Sequence, residues 1–370
     1  MKFSTSKLEL QAALQKVSKA TPTRSTLPIL SCVLIETSQS RTILRSTDLE
    51  LTIQVELPVS VEIEGKVCLP IKTLLNITNE LPETRITIVE KELNVTIETK
   101  FGKYNIMGKS YEEFPAIPVI KKEKSIILSG KNLKDIIKKT YFAISTDELK
   151  PALTGVLFRL KSESITAVST DGHRLVRYIK KNSISKDIDG DFIAPRKFLN
   201  FLQTQNLDSK INIILGDAYI AAKLKSDLIV SRLIDERFPD YESVIPKDNN
   251  NILTVTKSDF LSAVKRVSIF SNRSTHQVAI NLKEKHSCEV LTEDPEKSSK
   301  AKEVLNVVYK GEDLLIGYNA EYLKDVISHI SGDDVKIEFN TSISAALFSS
   351  GKEDRNSNIL MLLMPIRLND

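Results

Sequence analysis

The chain has 370 residues, of which 41% are hydrophobic and 27% are charged, and its formal net charge at pH 7 is +4. A length above about 300 residues exceeds one hydrophobic core and predicts two or three domains, while the composition excludes a disordered chain. The sequence has no run of about 18 apolar residues, which excludes a membrane-spanning helix. The opening MKFSTSKLEL leads us to expect no signal peptide.

The cysteines and histidines point away from metal or disulfide chemistry. Cys32, Cys68 and Cys288 are odd in number and far apart, and the four histidines have no ligand spacing. We therefore expect reduced thiols, a cytoplasmic protein, no metal site and no cofactor. The modest positive charge fits a nucleic-acid partner only if it is concentrated on one face. The low content of aromatic residues, 6% with no tryptophan, argues against single-strand binding by base stacking.

In chain order, each third of the sequence opens with an amphipathic helix. The buried faces are predicted from apolar spacings of three and four residues, and they comprise Leu8, Leu10, Ala13, Leu14 and Val17, then Leu133, Ile136, Ile137 and Thr140, then Phe260, Leu261, Val264 and Val267. A second helix is predicted in each third, over residues 71–81, 196–205 and 320–330. Alternating segments between the helices, such as LTIQVEL (51–57), predict antiparallel strands.

Short motifs also recur at a nearly constant offset. STDLEL (46–51) returns as STDGHRL (169–175), 123 positions later, and PIKTLL (70–75) returns as PRKFLN (195–200) after 125. The segments ITI (86–88), INI (211–213) and VKI (335–337), and the Phe-Pro pairs at 114 and 238, repeat at 124 or 125. The repeat predicts three similar α+β domains, each with two helices on antiparallel sheets, at residues 1–122, 123–248 and 249–370.

Positive charge concentrates on the predicted helices and is repeated in the three thirds. The residues are Lys7, Lys16, Lys19 and Arg24; Lys131, Lys134, Lys138 and Lys139; Lys257, Lys265 and Arg266; and Lys72, Arg196 and Lys197 on the second helices. Helices that are apolar on one side and basic on the other would line a surface that follows phosphates without reading bases. The alternative is an ordinary solvated helix face.

Two helices from each of three domains give twelve helices in a two-chain assembly. Packed side by side at about 10 Å, they would surround an opening of roughly 28 Å, wider than a duplex of about 20 Å. A pseudo-six-fold ring of two chains would thus have room for DNA and water, if the ring closes.

The corner STDGHRLVRY (169–178) places Asp171, His173 and Arg174 between two predicted strands. Asp171-Gly172 is a favoured hairpin turn, and the equivalent corner TDLE (47–50) has neither His nor Arg. A repeated turn with different side chains favours a binding site over a catalytic dyad, for which no nucleophile is spaced suitably. The segment GKYNIMGKS (102–110) is no phosphate loop, because five residues separate its glycines.

Several motifs together resemble the bacterial DNA polymerase III beta subunit family, the sliding clamps. The motifs run in the family's order and are MKF (1–3), RSTLPIL (24–30), TDLE (47–50), TDGHRL (170–175), PRK (195–197), RFPDY (237–241), GYN (317–319) and MPIRL (364–368). The resemblance implies a non-catalytic, head-to-tail homodimeric ring, with helices inside and a continuous sheet outside. Such a ring is cytoplasmic and nucleoid-associated, and it tethers polymerases and repair proteins to duplex DNA after a clamp loader opens it.

The resemblance also implies three sets of functional residues. A pocket for partner peptides with a short motif containing Gln and Leu or Phe maps to Leu153, Thr170, Gly172, His173, Arg174, Leu175, Pro239, Val244, Asn319, Tyr322, Ile343, Leu362, Leu363, Met364, Pro365, Ile366, Arg367 and Leu368. DNA contacts map to Arg24, Lys72, Arg196 and Lys197, and dimer contacts to Tyr104 and Ile106 against Ile269 and Phe270. Adaptable Met and Leu side chains in the terminal segment ILMLLMPIRL suit a pocket with several ligands, although a last core strand would look the same.

The sequence departs from the family pattern around this pocket. Lys150 and Ser243 occupy positions where arginine is frequent, Ala345 replaces a frequent serine, and Thr275 stands where an aromatic residue is familiar. Pro151 and Ala152 replace a tyrosine pair implicated in touching DNA. We therefore expect a changed motif preference and changed DNA contacts at that loop.

Two other interpretations remain open from the residues alone. One is a repeat-domain scaffold that binds proteins and never encircles DNA, which would be monomeric and show no salt-sensitive association with DNA. The other is an enzyme built on the 171–174 corner, which would lose a chemical activity on His173→Ala while still binding peptide.

Overall fold

The structure is a computed structural model that describes residues 1–39, 41–121, 124–161, 163–181, 183, 188–207, 209–283, 287–351 and 355–368. Within these ranges the chain forms six α-helices and twenty-six strands. The helices are α1 (Lys7–Val17), α2 (Ile71–Glu80), α3 (Gly130–Thr140), α4 (Arg196–Thr204), α5 (Lys257–Ser268) and α6 (Ala320–His329).

The strands fall into the same three thirds as the helix pairs. The first third contains β1 (Lys2–Ser6), β2 (Cys32–Ser38), β3 (Arg41–Thr47), β4 (Leu51–Leu57), β5 (Ser60–Ile63), β6 (Gly65–Pro70), β7 (Arg85–Lys91), β8 (Asn94–Thr99) and β9 (Gly102–Met107). The second contains β10 (Lys124–Ser129), β11 (Gly155–Lys161), β12 (Ser164–Thr170), β13 (Arg174–Lys180), β14 (Gly190–Pro195), β15 (Lys210–Leu215), β16 (Tyr219–Leu224) and β17 (Asp227–Arg232). The third contains β18 (Asn251–Thr256), β19 (Gln277–Lys283), β20 (Ser287–Asp294), β21 (Ser299–Asn306), β22 (Val308–Lys310), β23 (Leu314–Asn319), β24 (Asp334–Phe339), β25 (Ala346–Ser350) and β26 (Ser357–Leu363).

The helices form where the apolar spacing predicts them. In α1, Ser6 and Glu9 make a capping box, in which the Ser6 hydroxyl accepts from the Glu9 amide and the Glu9 carboxylate accepts from the Ser6 amide. Leu10, Leu14 and other predicted residues of this helix are buried, but Leu8 is 64% exposed. Leu8 lies on the solvent side because it is two positions before Leu10, whereas residues of one helix face are three or four apart.

The other helices agree with the prediction to within one or two residues. All four predicted positions of α3 are buried, as are Phe260, Val264 and Val267 of α5, while Leu261 is only partly buried. The second helices α2, α4 and α6 end one residue earlier than predicted. Three α+β repeats with two helices each are therefore confirmed.

Tertiary packing divides the chain into two compact units. The first comprises residues 1–128 and 204–233. It contains a five-stranded sheet in the order β5-β1-β7-β8-β9 and an eight-stranded sheet in the order β10-β15-β16-β17-β4-β3-β2-β6. In the larger sheet β17 pairs antiparallel with β4, so strands of the first and second repeats share one sheet.

The second unit comprises residues 129–203 and 234–370. Its nine-stranded sheet has the order β14-β11-β12-β13-β26-β25-β24-β18-β22, and its four-stranded sheet has the order β21-β20-β19-β23. Antiparallel pairing of β13 with β26 joins the second repeat to the third, with Arg174 opposite Leu363 and Lys180 opposite Ser357. A large core forms around the helices of the third repeat and includes the fully buried Phe260, Tyr318 and Phe348.

Residues 122 and 123, at the first predicted domain boundary, lie outside the described residues, as do the last two residues of the chain. The boundary at 248–249 falls between β17 and β18. The domain limits of 1–122, 123–248 and 249–370 stay a prediction.

Candidate peptide-binding site

The site is built on the tight turn between β12 and β13. The Thr170 hydroxyl donates to the Arg174 carbonyl over 2.7 Å, and one carboxylate oxygen of Asp171 accepts from the amides of His173 and Arg174 over 2.9 and 3.0 Å. Gly172 has φ +92°, a left-handed conformation that favours glycine. The Thr-Asp pair therefore closes the turn with its own side chains, and the following residues project from it.

The Arg174 side chain is buried within this corner. Its Nε donates to Asp171 over 2.9 Å, its Nη1 to Asp325 over 2.6 Å, and its Nη2 to the carbonyl oxygen of Phe142 over 2.7 Å. The rings of Phe142 and Tyr322 lie 5.3 and 4.6 Å from the guanidinium carbon. Only 9% of Arg174 is exposed, so this predicted pocket residue is mainly engaged inside the protein.

The terminal segment continues from β26 along the same corner. The Met364 amide donates to the His173 carbonyl over 2.8 Å, and the Ile366 amide donates to the Gly317 carbonyl over 2.9 Å. Leu368 packs closely on Gly317, where a Cβ atom would lie 2.6 Å from a Leu368 methyl carbon. The predicted tail thus leaves β26 after Leu363 and forms one isolated bridge, between Ile366 and Gly317. Leu362 and Leu363 are buried, Met364 is 41% exposed, Arg367 is exposed, and Pro365, Ile366 and Leu368 are half-buried.

An apolar floor lies beneath the turn and the tail. Leu175 and Leu362 face each other across β13 and β26 and are 2% and 3% exposed. The same cluster contains further side chains that the sequence did not assign to the site, namely Leu157, Val168, Ile193, Tyr241 and Leu347, with Ala152, Phe238, Ile245 and Leu360 partly buried against it. Predicted Leu153 is buried in the short 3-10 turn Pro151–Leu153.

The predicted rim residues come from several loops. Asn319 caps α6 by accepting from the amides of Glu321 and Tyr322, and the Tyr322 ring stacks on the exposed His173 with centroids 5.8 Å apart. Val244 and Ile343 are 56% and 71% exposed, and Pro239 is also exposed. Val244 and Pro239 adjoin the cluster members Ile245 and Phe238 in sequence, and Ile343 is two residues from Ala345.

Residues that depart from the family pattern are accommodated locally. Lys150 lies 3.9 Å from Asp147, and the Ser243 hydroxyl donates to the Asp240 carbonyl over 2.7 Å. Ala345 is buried in the apolar floor, and the Thr275 amide lies 3.4 Å from the Asn272 side-chain oxygen. Pro151 starts the 3-10 turn and Ala152 packs on the floor.

Two of the site's partners, Asp325 and Phe142, were missed by sequence reasoning. Asp325 lies three residues after Tyr322 on α6, and residues three apart share a helix face, so that part of the signal was present. Phe142 lies in the 3-10 turn Tyr141–Ala143 after α3 and engages Arg174 partly through its carbonyl group, for which the sequence has no signature.

The predicted DNA-contacting residues are exposed. Arg24 lies in the loop after α1, Lys72 in the first turn of α2, and Arg196 and Lys197 at the start of α4. The Arg196 guanidinium contacts the Tyr141 ring and donates to its hydroxyl over 3.2 Å.

Several predicted basic surface residues are bound within the protein. Lys139 is only 9% exposed and donates to the Ser331 hydroxyl over 2.8 Å and to the His329 carbonyl, so its assignment to a phosphate-facing surface was wrong. Burial lowers the pKa of Lys139 below its ordinary value. Lys257 donates to the carbonyls of Ser328 and Ile330 at the end of α6. These lysines satisfy helix carbonyls that have no partner within the helix.

The predicted dimer residues lie at exposed edges of their own units. Tyr104 and Ile106 are on β9, an edge strand of the five-stranded sheet, and the adjacent Met107 is 69% exposed. Ile269 and Phe270 follow α5 and are 76% and 45% exposed. The Phe270 carbonyl accepts from Ser299, which begins the edge strand β21.

The described residues contain no group of three or more His, Cys, Asp or Glu side chains that could hold a metal ion, and His286 lies outside them. Cys32, Cys68 and Cys288 are free and buried, and burial raises the pKa of Cys68 and of Cys288 to about 12. Thiols with such pKa values are poor nucleophiles at neutral pH. None of the helices within the described ranges is long and apolar enough to cross a membrane.

The fold and site define a class of protein: three α+β repeats in which the end of the chain lies beside the 170–174 corner. Three family models match the chain in order and describe the N-terminal, central and C-terminal domains of the DNA polymerase III beta subunit, over residues 1–118, 127–240 and 242–367. The chain therefore belongs to the DNA polymerase III beta subunit family, the beta sliding clamps, and its role is that of a clamp in DNA replication.

Individual relatives match over all or nearly all of their length. The beta sliding clamp of Bacillus subtilis (strain 168) is 27% identical over 379 residues, covering 99% of this chain and 100% of the relative, and that of Halalkalibacterium halodurans is 31% identical and covers 95% of each. The crystal structure of the Bacillus subtilis DNA polymerase sliding clamp matches 100% of both chains with a TM-score of 0.94 at 27% identity. The sliding clamp of Bartonella birtlesii, solved bound to griselimycin, matches 100% of both chains with a TM-score of 0.93 at 30% identity.

Proposed function

We propose that two copies of this chain close head to tail into a pseudo-six-fold ring around duplex DNA and that the ring has no catalytic activity of its own. The ring tethers the replicative polymerase catalytic subunit, and also other polymerases and repair proteins, through the site described above. A clamp-loader complex opens it on DNA in the cytoplasm, at the nucleoid. The observation that carries the tethering role is the tail, which follows β26 and is hydrogen-bonded to the 170–174 corner through the Met364 amide and the His173 carbonyl.

Partner binding is assigned to a short peptide motif containing Gln and Leu or Phe. The exposed Val244 and Ile343 offer apolar surface for leucine or phenylalanine beside the buried floor, and Met364 is 41% exposed and has a side chain that can fit different ligands. His173, Tyr322 and Asn319 form a polar and aromatic rim suited to the glutamine. Aromatic and apolar anchors within a polar rim are the usual composition of such interfaces.

DNA binding is assigned to exposed cations that contact phosphates without base recognition. Arg24, Lys72, Arg196 and Lys197 are candidates because they are exposed on helices or next to them. Neutralising phosphates releases counterions, so each such contact would steepen the dependence of affinity on salt. The replacement of the tyrosine pair by Pro151 and Ala152 removes aromatic stacking from that loop.

Dimerisation is assigned to the exposed edges that hold Tyr104 and Ile106 on β9 and Ile269 and Phe270 after α5. Edge strands expose unpaired backbone groups, and apolar side chains beside them favour pairing with a second chain. The double change Ile269→Ala with Phe270→Ala should then yield folded monomers. An unchanged dimer mass would refute this assignment.

The test of the ring is sedimentation equilibrium over a micromolar concentration range. We expect a mass of twice the 41.5 kDa chain. A monomer at every concentration would favour a scaffold that never encircles DNA.

The test of the pocket is truncation after Leu363. We expect the shortened chain to remain dimeric but to lose binding of a fluorescent motif peptide, since Met364 to Leu368 form one side of the site. Undiminished peptide binding would overturn the assignment. His173→Ala should also weaken peptide binding, whereas loss of a chemical activity with intact binding would favour an enzyme.

A further inference from the structure

Helix α6 is held in place by side chains of the second repeat. The Arg174 Nη1 donates to Asp325 over 2.6 Å, Lys139 donates to the Ser331 hydroxyl over 2.8 Å, and the Phe142 ring stacks on His329 with centroids 4.0 Å apart. All of these residues lie in one compact unit. The contacts are distributed from the middle of α6 to its end, so they set both the position and the tilt of the helix.

The Arg174 guanidinium is engaged within the protein at each of its three nitrogens. They donate to Asp171, to Asp325 and to the Phe142 carbonyl. The rings of Phe142 and Tyr322 also lie 5.3 and 4.6 Å from the guanidinium carbon. A planar guanidinium with fixed donors and two ring contacts acts as a rigid spacer between the elements that it joins.

The beginning of α6 carries one wall of the proposed pocket. Asn319 is the N-cap of the helix and Tyr322 lies in its first turn, where its ring stacks on His173 of the opposite wall. Leu175, in the floor, is the residue after Arg174. The distance between the α6 wall and the β13 floor therefore depends on the Arg174–Asp325 contact.

We propose that Asp325 is a positioning residue for partner binding: it holds Arg174, and through it the α6 wall, at the spacing that the peptide requires, without touching the peptide. The proposal rests on the proposed function of the pocket. Asp325 is 47% exposed at its side chain, whereas Arg174 and Asp171 are 10% and 13% exposed, so Asp325 is the accessible member of a largely buried group.

The experiment measures binding of a fluorescein-labelled synthetic peptide containing Gln, Leu and Phe to the full-length chain by anisotropy. Asp325→Ala and Asp325→Asn are compared with Glu321→Gln, a control on the same helix that removes one carboxylate whose partner is Lys324. Removing a charged hydrogen-bond partner should raise Kd about tenfold for Asp325→Ala. The control should change Kd by less than about twofold, in line with a surface ion pair.

To distinguish a positioning role from a general loss of folding, Kd is measured well below each variant's melting temperature, on variants whose dimer mass and far-UV circular dichroism are unchanged. Arg174→Lys keeps the charge but loses the planar contacts. The double variant with Asp325→Ala should weaken binding no more than the more severe of the two single changes. If Asp325→Ala does not fold, Asp325→Asn is tested in the same way, with at least about a threefold increase in Kd expected.

Normal peptide affinity in the folded Asp325 variants, or additive losses in the double variant, would overturn the positioning role. Failure of the unaltered chain to bind the peptide would instead count against the pocket itself. The two failures are therefore distinguishable in one series of titrations.

Discussion

Two corners of the molecule have the same backbone design but different surroundings. In the first repeat the Thr47 hydroxyl donates to the Leu51 carbonyl, and Asp48 accepts from the amides of Glu50 and Leu51. Thr170 and Asp171 make the same bonds in the second repeat. The end of the neighbouring paired strand is also bound to each corner in the same way. The Arg232 amide donates to the Glu50 carbonyl, and the Met364 amide donates to the His173 carbonyl, both over 2.8 Å.

The difference lies beneath the turns. Below the first corner, Arg45 donates to Gln54 over 3.0 Å and lies 3.9 Å from Glu36, while the Thr52 hydroxyl bonds to Thr47. Below the second corner, the positions 123 residues later hold Val168 and Leu175, both buried in an apolar cluster. Polar side chains that satisfy one another replace two apolar residues at these positions, so the apolar cluster of the first repeat, which includes Leu34 opposite Arg45, is the smaller of the two.

The largest expected effect comes from exchanging the floors. Val168→Arg should lower the free energy of unfolding by at least about 3 kcal/mol, because it buries a cation whose cross-strand neighbour is another cation, Arg177. The cross-strand neighbour of Arg45 is the neutral Gln54. The reciprocal Arg45→Val should cost about 1 kcal/mol, mainly in lost hydrogen bonds. Urea unfolding of both variants measures the difference, and equal costs would show that the two floors are interchangeable.

Removing the turn carboxylates tests what each one supports. Asp171→Ala should cost about 3 kcal/mol and weaken peptide binding, since it leaves the largely buried Arg174 without one of its two carboxylate partners. Asp48→Ala should cost about 1 kcal/mol, in line with the loss of turn hydrogen bonds. Denaturant unfolding and peptide anisotropy on both variants provide the check, and a similar loss of peptide affinity in Asp48→Ala would contradict the comparison.

Substitutions at the two turn tips should differ in their effect on stability. Leu49 has φ +74° and Gly172 has φ +92°, and a side chain at 172 would have open space but a left-handed backbone. Gly172→Leu should therefore cost about 1–2 kcal/mol. Leu49→Gly relieves strain but adds entropy to the unfolded chain, so we expect a net change below about 1 kcal/mol. Thermal unfolding of the pair tests this, and a destabilised Leu49→Gly would indicate that the leucine makes a needed contact.

The smallest effect is a pH dependence confined to the second unit, because all four histidines lie outside residues 1–128 and 204–233. Burial lowers the pKa of His329 below its ordinary 6.5, with Lys139 and Lys138 acting in the same direction and Asp325 opposing them. Between pH 6.5 and the lower pKa of the folded state, His329 is protonated in the unfolded chain but neutral in the folded chain. Stability should thus fall as pH decreases, by less than about 1.4 kcal/mol per pH unit.

Hydrogen exchange at about pH 7.5 and about pH 5.5 measures this effect unit by unit. We expect residues around α6 to lose protection at the lower pH, and His329→Gln to remove that loss. The exposed His173 provides the control, as His173→Gln should leave the pH dependence in place. Equal losses in both units would point to carboxylates rather than to His329.

Much of the fold could be predicted from local pattern. Helix faces follow a spacing of three to four residues, and the Thr-Asp turns close with their own side chains, so both are encoded within a few neighbouring residues. The family resemblance brought together tail residues such as Met364 with corner residues such as His173. Neither source indicated that Arg174 is enclosed by Asp325 and Phe142, which are 151 and 32 residues away in the chain.

The sequence by itself determined three repeated α+β domains, their helices and the turn at each corner, because these depend on short-range periodicity and on a repeat that can be counted. Tertiary structure alone decided which side chains pack beneath each corner, that Lys139 and Lys257 bind helix carbonyls, and that strands of neighbouring repeats share sheets. Those outcomes depend on which distant residues meet once the chain is folded, and burial then determines whether a lysine or an arginine faces solvent or satisfies a partner inside the protein.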